Sequence, residues 1–425
     1  MTRSPYDWEP GSPPPIIKQH SIAKHEILRA YLCAYIQTLV SNPNRDEFRL
    51  VLVDGFAGGG LYQHACTRQE VLGSPFIMLE ATKEAEALIN LNRRKPVKLA
   101  IDYFFIEKDL AAATCLRQAL TLRGYGERID RDVFLLNAAF EAYVDDVIAH
   151  VRRRMPILPR AIFLLDQYGY SDVPAERIAK IIRALPGSEV ILTFAVDALL
   201  NYFSEHSDLT KRLLQKIGIP DVLKGRSFDD IKRSDEDWRL FVQACLYQEL
   251  VEKCRAQYYT LFFIRSSRGH GDYWLIHFSQ QPRARDVMTR IHWEKNNHFV
   301  HYGGAGLDMF HALGYVSEKD ETVTGQASLF EFDADARKAS TKQIASQIVP
   351  MVHADQEGRV FAELFATTCN LSPASADIYK EAINVLRSHR EVEVISARTR
   401  KPTYGKILDD DRIKVPEQGR LFGSR

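Results

Sequence analysis

The stretch Leu50-Val51-Leu52-Val53-Asp54-Gly55-Phe56-Ala57-Gly58-Gly59-Gly60 decides how the rest of the chain is read. Its first half is a short apolar, β-branched run, the pattern of a strand buried on both faces. Its second half breaks into glycines, which allow backbone angles closed to other residues and let a ligand come close to the main chain. A buried parallel strand ending in such a turn forms the ligand-binding lip of an open α/β sheet.

Working outward, four later runs repeat the strand half of this pattern. They are Tyr103–Ile106 ending at Glu107, Val133–Leu136 ending at Asn137, Ala161–Leu165 ending at Asp166-Gln167-Tyr168-Gly169, and Glu189–Phe194. Helical spacing separates them, as in 76–91, 110–123 and 175–185, which predicts a parallel, doubly wound sheet. Two further β-rich runs, 258–264 and 273–278, flank a glycine-containing loop and predict an antiparallel hairpin. A five-stranded parallel core closed by such a hairpin is the strand plan of the Rossmann-like methyltransferases.

Upstream, apolar positions 27, 28, 31, 32, 35, 36 and 39 predict a helix ended by Asn42-Pro43-Asn44. Lys24 and His25 stand at its start, either near a substrate or cofactor at the lip or in a solvated first turn. Residues 1–16 are proline-rich and read as a poorly ordered tail. Residues 61–72 read as an inserted loop, a lid or an ordinary surface loop, before Gly73-Ser74-Pro75 opens a helix with Ser74 as a cap.

The methyltransferase-like domain is expected over 17–315, with 197–256 a helical insertion, and 316–340 an acidic linker. In that linker, Leu329-Phe330 either packs on the chain's own core or serves as a docking peptide like those bound by bacterial replication clamps. Residues 341–425 carry helical patterns over 342–349, 359–368 and 374–388. Two short β-prone runs then bracket 397–406, the order of a winged helix. Arg398, Arg400, Lys401 and Lys406 lie on the expected wing, where they can neutralise phosphates. A solvated hairpin used for protein contacts has the same pattern.

The whole chain of 425 residues is 45% hydrophobic and 26% charged with a net charge of +1, so any capture of nucleic acid must be local. Six scattered cysteines include no C-x-x-C pair, which argues against a zinc site or a disulfide framework and fits a cytoplasmic protein. No apolar run reaches membrane-spanning length, about 18 residues, and no secretion signal opens the chain.

S-adenosylmethionine would match the strand ends in order. Its amino-acid end needs close backbone, which Asp54, Gly55, Phe56, Ala57, Gly58 and Gly60 supply. Its ribose hydroxyls need a carboxylate, for which Glu107 is placed, and its adenine needs a polar partner, for which Asn137 is placed. At the fourth strand end, Asp166 and Tyr168 can hold and stack a planar amino group, such as that of a flipped base. Asp166 capping the next helix is the plainer alternative.

These residues resemble the three-Cys-motif partner proteins (TcmP). The resemblance lies in Lys24-His25 with Ile27-Leu28 and Tyr31-Leu32, in Val53-Asp54-Gly55-Phe56-Ala57-Gly58, in Gly73-Ser74-Pro75, in Phe105-Ile106-Glu107, and in Asp166 with Tyr168-Gly169. It spans roughly 20–300, and the C-terminal part is similar to the winged helix attached to such proteins. It implies a methyltransferase-type domain and a separate, radical-SAM-like partner with a three-cysteine motif. The family's Asp-Pro-Phe-Gly reads Asp166-Gln167-Tyr168-Gly169 here, which removes the fixed proline geometry. Two readings follow: a methyltransferase acting with that partner on nucleic acid, or a cofactor-binding scaffold that recruits the partner without transferring a methyl group.

Overall fold

The computed structural model describes residues 6–91, 93–167, 171–205, 207–234, 238–264, 273–295, 300–302, 305–307, 329–355 and 357–416. The chain divides into two compact units, Met1–Ile291 and His292–Arg425.

The first unit is built on a seven-stranded sheet of β1 Glu47–Asp54, β2 Lys98–Ile106, β3 Val133–Leu136, β4 Arg160–Leu165, β5 Gly187–Phe194, β6 Tyr258–Ile264 and β7 Tyr273–Ser279. Its order is β3-β2-β1-β4-β5-β7-β6. The first five strands are parallel; β7 runs antiparallel to both β5 and β6. This is the Rossmann-like plan expected from the strand runs. Val51, Leu52 and Val53 are fully buried. Burying one such side chain contributes about 1.5–3 kcal/mol, against about 0.5–1.5 kcal/mol for a ladder hydrogen bond. The apolar pattern therefore fixes where β1 sits, and the ladder follows.

Helices α1 Gln19–Leu39, α2 Ser74–Asn90, α3 Leu110–Leu120, α4 Phe140–Arg154 and α5 Ala175–Ala184 flank the parallel strands. Helix α1 buries Ile27, Leu28, Tyr31, Leu32, Tyr35 and Ile36. Its Tyr31 hydroxyl donates to the buried Glu189 of β5, which His277 of β7 also meets at 2.8 Å. A buried carboxylate is costly unless it is paired, so this trio fixes α1 over those two strands. Four helices, 196–205, 207–217, 228–234 and 238–254, fill the connection between β5 and β6.

Three local expectations change. Residues 61–72 contain a short hairpin, Leu61–Gln63 with Glu70–Leu72, rather than an open loop. Residues 6–16, part of the 1–16 stretch read as a loose tail, run with Ile17 against that hairpin: Gln63 donates to Pro15 O and Ile17 to Gln63 O, both at 2.9 Å. The cap of α2 is Gly73 rather than Ser74, with Pro75 in the first turn. The Gly73 N–H is drawn onto Gly60 O at 2.8 Å, which sets the helix start one residue earlier.

The second unit has helices 334–353, 361–368 and 376–388 and a three-stranded sheet of 359–360, 412–414 and 393–395. Together they form the helical and β parts of a winged helix. The 316–340 stretch is not all irregular. Leu329–Glu331 pairs with Val300–Tyr302, and Asp333 caps the following helix by accepting the Ala336 N–H at 2.7 Å. Residues 316–328 lie outside the described residues. The last helix starts at Ala376 rather than Ala374, because Pro373 gives its carbonyl to the Trp293 indole at 2.8 Å and stays out of the helix. No helix among the described residues is long and apolar enough to cross a membrane.

Candidate functional site

The carboxyl ends of β1, β2, β3 and β4 meet at one lip, and Asp54 stands at its centre. It is the last residue of β1 and fully buried. Its Oδ1 accepts the Phe56 N–H at 3.1 Å, while no group meets the buried Oδ2 at full hydrogen-bond distance. Burial raises the carboxyl to about 7, and the Ser74 hydroxyl and the Phe56 N–H only partly offset this.

The turn after Asp54 is laced to both neighbouring strands. Gly55 donates to Leu164 O at 2.9 Å and Ala57 to Ile106 O at 3.0 Å. Glu107, just past β2, reaches across so that its Oε2 accepts the Gly58 N–H at 2.8 Å and its Oε1 the Asp109 N–H at 2.8 Å. Burial raises the Glu107 carboxyl above its ordinary value despite these two donors. Gly60 has φ +79°, and a Cβ there would lie 2.6 Å from Leu116 Cδ1, so only glycine fits.

Asn137, after β3, donates through Nδ2 to Glu107 O at 2.9 Å and to Lys108 O at 3.3 Å. Its amide nitrogen thus ties two strand ends together. Gly55, Phe56, Glu107, Ala138 and Phe140 line a shallow cleft of about 130 Å³. Asn137 and Glu107 border a second hollow beside it.

Asp166 ends the next strand, and its partner is Lys24 of α1. The ammonium meets both carboxylate oxygens at 2.6 Å. Burial would raise the Asp166 carboxyl, but the Lys24 charge overrides it and holds the group below the ordinary carboxylate value. His25, beside Lys24, is pushed down to about 4 by burial and then by the lysine charge, so its imidazole is neutral. Its Nδ1 is buried without a partner. Gln167 is buried and accepts the Asp172 and Val173 N–H groups through Oε1 at 3.0 and 3.1 Å. Where the resembling family has proline, this side chain steers the loop by hydrogen bonds instead. Tyr168 lies outside the described residues.

The structure thus gathers Asp54 to Gly60, Glu107 and Asn137 at one lip, with Asp166 at the adjoining strand end. Spacing alone missed the Lys24–Asp166 pair, because the two residues are 142 positions apart. It also missed Trp8, whose indole covers Gly58 and Gly59. A lone tryptophan in a proline-rich tail carries no periodic signal.

In the second unit, Arg398, Arg400, Lys401 and Lys406 are all exposed on the segment between strands 393–395 and 412–414. Arg387 shapes its tip by donating to the carbonyls of Thr403, Tyr404 and Gly405 at 2.9, 3.2 and 3.3 Å. Within the acidic run that follows, Asp411 is buried and accepts the Ala397 and Leu408 N–H groups at 3.0 and 2.8 Å, and Asp409 meets Lys380 at 3.1 Å. Asp411 therefore shapes the hairpin itself, and Asp409 ties it to the helix 376–388.

Residues 314–398 match the GMT-like wHTH domain family. The match begins just before the 316–340 stretch read as a linker, takes in all of it, and stops at Arg398, short of the other basic wing residues. No curated protein matches the chain. Similar solved structures include a Legionella pneumophila protein of family DUF519, at 8% identity over 62% of this chain and 89% of that one, TM-score 0.33. A putative O-methyltransferase from Klebsiella pneumoniae is similar at 14% identity over 58% and 79%, TM-score 0.27. Trm1 from Pyrococcus horikoshii in complex with S-adenosyl-L-methionine is similar at 10% identity over 97% and 95%, TM-score 0.32. The methyltransferase-like fold rests on the chain's own strand order, the C-terminal unit on the matched winged helix.

Proposed function

We propose that this chain is an S-adenosylmethionine-dependent methyltransferase that acts on a nucleic acid alongside a three-cysteine, radical-SAM-like partner. The observation that carries the donor reading is the lip itself: a glycine turn tied to Glu107, a shallow cleft beside it, and a fully buried Asp54 carboxyl whose Oδ2 no group meets at full hydrogen-bond distance, with the Ser74 hydroxyl nearby. A buried acceptor left unmet is a costly arrangement, and the donor's ammonium is the kind of group that would relieve it. Glu107 keeps lone pairs for ribose hydroxyls, and the Asn137 carbonyl oxygen can accept an adenine amino hydrogen. The donor, when bound, supplies an electrophilic methyl group; the chain's part is to orient it and to hold the acceptor.

For the acceptor, Asp166 remains ionised and its side chain is 27% exposed, so its outer lone pairs can receive an amino hydrogen. Tyr168 is proposed as the stacking residue, on its place in the sequence. Nucleic acid is supported by the winged-helix match and by the four exposed basic wing residues. The partner is supported by the resemblance to TcmP proteins.

One observation favours a second reading, a scaffold that binds the donor and recruits the partner without transferring a methyl group. Both Asp166 oxygens are already taken by Lys24. Incubation with labelled donor and DNA or RNA, with and without the partner, tests the choice: label in the nucleic acid supports the enzyme, and donor binding without label supports the scaffold. Binding of the full chain to duplex DNA at several salt concentrations tests the wing. Arg398→Ala with Arg400→Ala is expected to flatten the slope of log affinity against log salt by about 2; an unchanged slope would make the wing a protein-docking surface.

A further inference from the structure

The segment 6–17 does more than cover an edge. The Trp8 indole lies directly on the glycine turn: a Cβ built on Gly59 would fall 2.2 Å from Trp8 Cδ1, and one on Gly58 2.7 Å from Trp8 Cη2. The ring therefore lies where the side chains of Gly58 and Gly59 would stand. Its N–H donates to Leu61 O at 2.9 Å. Tyr6 and Tyr62 meet it at ring-centroid distances of 5.7 and 5.3 Å, and Tyr62 in turn lies 6.0 Å from the buried His25.

The attachment of this segment is uneven. Its far end is fixed by the Gln63–Pro15 and Ile17–Gln63 hydrogen bonds to the hairpin. Its near end is held by side chains, the Trp8 N–H and the Tyr6 hydroxyl, which contacts Ser21 Oγ and the Lys18 N–H at 3.1 Å each. Between them, residues 9–13 are exposed and turn at Gly11, with φ +85° and open space around it. A glycine in that region turns the chain without strain, so Tyr6–Trp8 can leave the lip while 15–17 stay in place.

We propose that residues 6–17 form a strap across the donor cradle. Trp8 takes the place on Gly58 and Gly59 of the donor's amino-acid end, and donor entry requires the indole to swing out about Gly11. The inference rests on the donor reading above. A ligand that binds only the strap-open form has its apparent affinity reduced by the fraction of protein that is open. Removing the indole removes that reduction.

Calorimetric titration of the full chain with S-adenosylmethionine, in the wild type, Trp8→Phe and Trp8→Ala, tests this. Trp8→Ala is expected to tighten Kd by about tenfold, the gain for a strap closed ten times as often as open. Trp8→Phe, which keeps a ring and loses the N–H to Leu61 O, is expected to fall between. Equal affinities, or weaker binding by Trp8→Ala, would overturn the strap and leave the donor reading standing. Absence of binding in all three would overturn the donor reading, and the strap with it. Hydrogen exchange on the wild type gives a readout that needs no variant. Saturating donor is expected to increase exchange at the Lys18 amide, which donates to the Tyr6 hydroxyl, while the Gln63 and Ile17 amides stay protected; unchanged protection at Lys18 would also overturn the strap.

Discussion

Asp54 and Asp166 close neighbouring parallel strands at the same lip, and their surroundings push them in opposite directions. Asp54 is buried beside glycines and backbone N–H groups, with no cation, and its carboxyl is raised to about 7. Asp166 receives Lys24 on both oxygens and is lowered below the ordinary value. Burial raises both, and what separates them is chiefly the lysine, with a smaller part from the Thr193 hydroxyl on Asp166. Glu107 stands between them: backbone N–H groups hold it, yet its pKa is raised. The lip thus has a side whose carboxyls are raised by burial and a side already neutralised within the protein.

The largest expected effect comes from the neutralised side. Under the enzyme reading Asp166→Ala lowers methyl transfer at least about 100-fold, the lower end of what a positioned proton-accepting group contributes, with donor affinity changed little. Label transfer measured beside calorimetry checks this. Retained turnover would take Asp166 out of the reaction and leave it only as the partner of Lys24.

Glu107→Ala is next, expected to weaken S-adenosylmethionine binding about 10- to 100-fold. It removes charge-assisted hydrogen bonds to the ribose, each worth about 1.5–3 kcal/mol, and frees the Gly58 N–H that shapes the turn. Equal affinity in calorimetry would move the ribose elsewhere.

Asp54 gives a pH test of the side raised by burial. Its folded pKa, about 7, lies above the ordinary 3.8, so between these values the folded chain binds more protons than the unfolded one. The stabilisation it contributes is complete below about pH 4 and is lost as pH rises through 7. Asp54→Asn is expected to remove about 2–4 kcal/mol of this fall in stability, read as the difference between wild-type and variant urea curves at pH 5 and 8. Parallel curves would show that Asp54 has a partner that keeps it ionised.

Lys24→Ala should have the smallest effect on stability, about 1–2 kcal/mol at neutral pH, below the 3–5 kcal/mol of a fully buried pair because water reaches Asp166. The sign is opposite to that of Asp54. A lowered carboxyl contributes stability above its unfolded value that is lost as pH falls through its folded one, so the cost of Lys24→Ala should shrink in acid. A loss that does not depend on pH would mean the lysine acts by packing alone.

The sequence by itself determined the sheet and most of the lip. A strand buried on both faces must be an apolar run, and a sharp turn against backbone must carry glycine, so β1 to β7 and the Asp54–Gly60 turn were legible from local residues. Glu107, Asn137 and Asp166 followed, because the residue after a parallel strand faces the lip whatever the rest of the fold does. The order of three helices and a basic hairpin likewise announced the winged helix. What each of these groups meets was decided only by tertiary structure. Lys24 neutralises Asp166 across 142 positions because Tyr31, Glu189 and His277 hold α1 over the sheet. Trp8 covers Gly58 and Gly59 through aromatic contacts and a single N–H bond, which leave no period in the sequence. Strand identity is a local property of side-chain burial, whereas the charge state of a carboxylate depends on whichever distant group folding brings within a few ångströms.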